Sequence, residues 1–157
     1  SNPPDVPYMY MNHPELYGPV WSWMVETGTH ALRIIFGGVF DKYPKAKLVL
    51  GHMGETLPFQ LWRFDSRWAI SNAKGRTLEM QPSEYLKRNL WVTTSGVCSD
   101  EPLKCALAAL GEDRVLFSAD YPFENIQAAC DWIEEADVSD ATRSRICSGN
   151  AKTLFGL

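Results

Sequence analysis

Apolar positions in this chain recur with two periods. Val20, Trp23, Met24, Ala31, Ile34 and Ile35 fall at helical spacing, with Pro19 suited to a first turn and Gly37, Gly38 and Pro44 closing the segment. Residues 46–51 (AKLVLG) form a short apolar run without alternation, as expected of a strand buried on both faces. A helix over 56–72 follows, with Pro58 in its first turn and Leu61, Phe64, Trp68 and Ala69 on one face. A helical turn over 82–88 leads into a strand over 90–95 (LWVTTS). Ser99 or Asp100 can cap a helix over 101–110, and Gly111 stands where a left-handed C-cap is favoured. A strand over 114–119 (RVLFSA) and helices over 125–136 and 139–154 complete the pattern. Strict alternation of helix and strand predicts an α/β fold with parallel βαβ units. Residues 1–157 read as one domain or one piece of one, with 1–17 as a coil lead-in.

Each apolar run gives way abruptly to polar or ionisable residues: GHMGE, TTSG and SADYPFE. In parallel α/β folds the carboxyl ends of the strands converge on the active site, which places His52 and Asp120 where chemistry happens. An imidazole works as acid, base or electrophile near neutral pH, and Glu55, three residues on, could hold its tautomer. The plainer role for His52 is capping the next helix. A carboxylate directly after a buried strand is costly unless a cation or several donors compensate it, so Asp120 reads as a metal ligand or a proton-transfer acid. Tyr121-Pro122 moves the next helix beyond its capping reach.

Arg63 could clamp a substrate carboxylate, or pair with Asp65 or Glu79 on the surface. His13 fits a surface turn and His30 a packed mid-helix position. Trp21, Trp23, Trp62, Trp68 and Trp132 fall at core-like spacing.

Composition narrows the classes. A chain of 157 residues, 45% hydrophobic, can bury one real core. With 15 Lys+Arg against 19 Asp+Glu, intermixed, its net charge of −4 argues against nucleic acid or anionic membrane as partners. No apolar run is long enough to span a bilayer. Cys98, Cys105, Cys130 and Cys147 form no C-x-x-C pair and read as buried free thiols of a reducing compartment. With no secretory signal visible, a cytoplasmic location is expected. Ser1 as first residue and a Pro-rich coil over 1–7 suggest that chain precedes this sequence. No G-x-S-x-G, Walker A, G-x-G-x-x-G or H-E-x-x-H motif occurs.

HPELYGPVW, ETGTHALRI, FDKYPKAKLVLGHMGETLPFQLWRFD, LWVTTSG, DRVLFSADYPFEN and GNAKTLFGL occur in that order. Together they resemble the amidohydrolase-related decarboxylases that act on dihydroxybenzoates such as γ-resorcylate, with aminocarboxymuconate-semialdehyde decarboxylase more distant. The resemblance implies the C-terminal part of a (β/α)8 TIM barrel, about strands six to eight. It makes His52 the active-site histidine after strand six and Glu55 its acidic partner. Asp120 becomes a metal ligand and the proton carrier to the ring carbon, and Arg63 a substrate-pocket residue. It implies one divalent metal ion, zinc or manganese, no organic cofactor, a small aromatic carboxylic acid as substrate, and a homo-oligomer.

The family's Glu-x-His pair and its ligand His-Pro histidine have no counterpart here, since His13 matches a second His-Pro. Of the metal set only Asp120 remains, whereas catalytic sites use about three or more protein ligands. Activity is therefore expected to need a further N-terminal half. Two alternatives stay open: a metal-dependent lactone or amide hydrolase of the same superfamily, and a non-catalytic fragment whose three strands leave two open edges.

Overall fold

The computed structural model describes residues 8–71, 75 and 77–157. Three short strands, β1 (Leu48–Leu50), β2 (Leu90–Thr93) and β3 (Val115–Leu116), form a parallel sheet in that order. Leu50 lies opposite Val92, and Thr93 opposite Leu116. Parallel neighbours need crossovers, and helices supply them. α1 (Ser22–Phe36) and α2 (Val39–Lys42) precede β1. The turn α3 (His52–Glu55), α4 (Leu61–Ser71) and α5 (Pro82–Asn89) join β1 to β2. α6 (Asp100–Leu110) joins β2 to β3. After β3 come α7 (Ile126–Glu135), α8 (Asp140–Ser144), a π-helical turn (Arg145–Gly149) and α9 (Asn150–Phe155).

The expected βαβ alternation is present, but every strand is shorter than its apolar run. The reason is local hydrogen bonding at the strand ends. The Gly51 carbonyl accepts from the Gly54 amide at 2.8 Å and the Thr94 carbonyl from the Val97 amide at 3.0 Å, so both chains turn out of the sheet. The core sits between the sheet and its helices. Val92, Leu103, Ala106 and Val115 are fully buried, with Ile35, Leu86, Leu90 and Ile146 nearly so. Burial of each large aliphatic side chain contributes about 1.5–3 kcal/mol.

α1 buries Gly28, Ala31 and Ile35 at helical spacing, and its start falls at Ser22, whose hydroxyl accepts from the Gly18 amide at 2.8 Å. Pro19 and Val20 lie outside it, and Val20 is exposed. The tryptophans divide. Trp68 packs its ring 5.1 Å from Phe36 and Trp132 packs against the core. Trp21, Trp23 and Trp62 are exposed instead, because Trp21 precedes the first turn of α1 and the other two fall on the outer faces of α1 and α4. His30 is also exposed, 3.8 Å from Glu26 one turn back. None of the four cysteines is buried: Cys98 and Cys147 are exposed and the other two intermediate, all as free thiols. Gly111 has a positive φ of 107° but a ψ of 157°, an extended glycine conformation rather than the left-handed cap. Within the lead-in, residues Tyr8–Tyr10 and Pro14–Leu16 make 3-10 turns, and residues 1–7 lie outside those described. The expected end of the second helix at Asn72 is likewise outside them. Among the described residues, no helix is long and apolar enough to cross a membrane.

α3 is not an ordinary helical turn. His52, Met53, Gly54, Glu55 and Thr56 all have positive φ, between 49° and 78°. Left-handed backbone costs about 1–2 kcal/mol for each non-glycine residue, so the surrounding packing must over-determine this segment. Gly54 makes it possible, because a Cβ there would lie 2.7 Å from Val92 Cγ1 and 3.2 Å from the Pro58 ring. Gly54→Ala is expected to destabilise the protein by roughly 2–4 kcal/mol through overpacking and strain together. Urea denaturation would check this; a midpoint matching wild type would show that the turn relaxes freely.

Candidate active site

The left-handed turn after β1 has a chemical consequence. It brings residues three apart onto one side, so His52 Nδ1 meets Glu55 Oε1 at 2.9 Å. The Glu55 side chain is only 4% exposed, whereas His52 is 46% exposed and opens to solvent. Nδ1 donating to a carboxylate leaves Nε2 facing outward, and Nε2 lies 3.6 Å from Asp120 Oδ2. That separation exceeds hydrogen-bond range, so the contact is electrostatic. A proton on Nε2, which makes the ring an imidazolium, renders it attractive. His52 thus stands between two carboxylates, one buried and one accessible.

Two further elements frame the pair. Asp120 follows β3 with φ of 60°, and its carbonyl accepts from the Phe123 and Glu124 amides. It does not cap α7, whose N-cap Asn125 accepts from the Ala128 amide at 3.2 Å. At the end of β2, Ser95 Oγ accepts from the His52 amide at 3.3 Å and shares a 2.8 Å hydrogen bond with Thr93 Oγ1. Gly96 lies against both site residues: a Cβ there would sit 2.8 Å from His52 Cδ2 and 3.1 Å from Asp120 Oδ2. Thr93, Ser95 and Gly96 were not singled out from the sequence. Their signal was the polar run TTSG at a strand end, which marks the place but not the role of each side chain.

Burial pushes the Glu55 carboxyl above its ordinary pKa, and the hydrogen bond and charge of His52 pull it partly back. An acid whose pKa is raised on folding holds its proton more tightly folded than unfolded. Its favourable contribution is therefore complete below the unfolded pKa and lost as pH rises through the folded one. Relative to Glu55→Gln, the wild-type protein is expected to lose stability with rising pH across that window. Denaturation midpoints of both proteins against pH would show it, and the opposite relative slope would mean that His52 dominates over burial.

The structure brings His52, Glu55 and Asp120 together but does not join Arg63 to them. Arg63 stands exposed on α4, and Asp65, its possible partner, accepts from the Ser83 amide at 2.9 Å instead. His13 pairs with Glu15 at 2.8 Å on the surface. Among the described residues, no group of three or more His, Cys, Asp or Glu is placed to hold a metal ion. Asp120 offers one carboxylate, and the Glu55 oxygen nearest the site is taken by His52. These residues alone do not make a complete metal centre.

The amidohydrolase family profile matches residues 5–157. The chain belongs to the amidohydrolase family. This amidohydrolase chain is 45% identical over 154 residues to a γ-resorcylate decarboxylase from a Polaromonas species, covering 95% of the chain and 46% of the relative. A Polaromonas dihydroxybenzoic acid decarboxylase, crystallised with manganese and the inhibitor 2-nitroresorcinol, superposes with a TM-score of 0.92 at 43% identity, over 100% of this chain and 48% of that one. A 2,6-dihydroxybenzoate decarboxylase in complex with 2,6-dihydroxybenzoate gives 0.93 at 40% identity, over 100% and 49%. The amidohydrolase chain therefore spans about half the length of these relatives.

Proposed function

We propose that His52, Glu55 and Asp120 belong to the active site of a metal-dependent, non-oxidative decarboxylase of hydroxylated aromatic acids, and that β1 to β3 are strands six to eight of a (β/α)8 barrel. The observation that carries this reading is the placement of His52 between Glu55 and Asp120 at the carboxyl ends of parallel strands. The similarity to decarboxylases of dihydroxybenzoates supports the substrate class.

Asp120 delivers a proton to the ring carbon that bears the carboxylate. The carbon–carbon bond to the carboxylate then breaks, its electron pair restores the aromatic ring, and carbon dioxide leaves. One proton is consumed per turnover, and His52 Nε2 faces Asp120 where it can replace it. Glu55 fixes the imidazole and balances its charge while the dearomatised ring forms. Arg63 makes no ion pair with another described residue, and its exposed guanidinium can take a carboxylate bidentately. Asp120 would supply one ligand to a divalent ion, zinc or manganese, with the other donors from outside the described residues. When bound, the ion supplies Lewis acidity and a template for carboxylate and hydroxyl oxygens. No hydride or electron moves, so no organic cofactor is called for.

The test is carbon dioxide release from a panel of dihydroxybenzoates by the manganese-loaded protein. Turnover of a carboxylate flanked by a ring hydroxyl is expected. Hydrolysis of lactones or amides without decarboxylation would overturn the reading.

A further inference from the structure

The backbone that carries Asp120 is not held by the sheet. The last main-chain bond of the β2–β3 ladder runs from the Thr94 amide to the Leu116 carbonyl at 3.0 Å, and beyond it β2 turns away. The next rung is made by a side chain. Thr94 Oγ1 donates to the Ser118 carbonyl at 2.9 Å and accepts from the Ser118 amide at 3.0 Å. Thr94 is fully buried, so no water competes for these bonds. On the other flank the Phe117 amide donates to the Ile146 carbonyl at 2.9 Å. Ile146 lies in the π-helical turn, where wider bonding leaves a carbonyl free to point out of the helix. Two consecutive amides ahead of Asp120 are thus tied by partners outside any ladder.

We propose that Thr94 is the positioning residue for Asp120. Its hydroxyl extends the sheet by one rung at the point where the main chain can no longer do so. That rung sets the left-handed Asp120 backbone and, through it, the 3.6 Å separation from His52 Nε2. Gly96 gives the Asp120 carboxylate the room this position needs, because a Cβ there would approach Oδ2 to 3.1 Å. The kinetic part of this inference rests on Asp120 being the reactive carboxylate of the proposed decarboxylase.

Thr94→Val keeps the shape and removes the hydroxyl. In the native holoprotein it is expected to lower kcat for dihydroxybenzoate about 10²-fold, the cost of roughly 1 Å of misplacement, with KM within about threefold of wild type. Thr94→Ser keeps the hydroxyl and should return kcat to within about threefold. A Thr94→Val protein with wild-type kcat, or a Thr94→Ser protein as impaired as Thr94→Val, overturns the proposal. A crystal structure of Thr94→Val separates this from the functional reading. A displaced Asp120 carboxylate supports the positioning role even if no substrate turns over, and an unmoved one refutes it. Should Thr94→Val fold poorly, amide hydrogen exchange in the wild type decides. The Ser118 amide should be protected as strongly as that of Thr94, and exchange as fast as an open loop would count against the rung.

Discussion

Asp120→Asn is expected to reduce carbon dioxide release from a dihydroxybenzoate by about 10³-fold or more, toward the upper range for loss of a positioned acid. The substitution is nearly isosteric, and the backbone should tolerate it. Asp120 has a φ of 60°, and asparagine is among the few residues that accept left-handed backbone readily. The amide can neither carry the proton to the ring carbon nor offer an anionic oxygen to a metal ion. Its NH2 group would also face His52 Nε2 at the 3.6 Å contact without supplying an acid. Measured stability close to wild type, with kcat lost, would assign the effect to chemistry. An Asp120→Asn protein retaining a tenth or more of wild-type kcat would remove Asp120 from the proton path.

The site was legible in the sequence to the extent that it depends on strand ends. His52 and Asp120 could be placed because apolar runs stop at them, and Glu55 because it lies three residues from His52. The means by which these groups meet was not legible. A run of left-handed residues leaves no periodic signature, and of its five members only Gly54 marks it in the sequence. Thr94 and Ser95 looked like the end of a strand, and only the departure of the β2 backbone turns their hydroxyls inward to partners 24 and 43 residues away. Likewise, helical spacing placed Trp21, Trp23 and Trp62 in the core, where only knowledge of which face meets the sheet could have corrected it. Parallel pairing, by contrast, followed from alternation alone, since consecutive parallel strands require a helical crossover.

His52→Asn isolates the second proton-handling group, because the amide nitrogen of asparagine occupies nearly the position of the imidazole Nδ1. The donor to buried Glu55, at 2.9 Å in the wild type, is thereby retained, and φ of 49° suits asparagine. What disappears is Nε2, the atom that faces Asp120. If His52 returns the proton to Asp120 between turnovers, kcat should fall about 10²–10³-fold while the folded structure survives. His52→Gln places its amide nearer the Nε2 position and forfeits the Glu55 partner. Leaving that buried acid without its donor costs about 1–3 kcal/mol, so this variant should lose stability as well as activity. The contrast between the two is the informative result. Equal stability in both would mean that the Glu55 contact contributes nothing to the turn, and wild-type kcat in His52→Asn would show that Asp120 takes its proton directly from solvent.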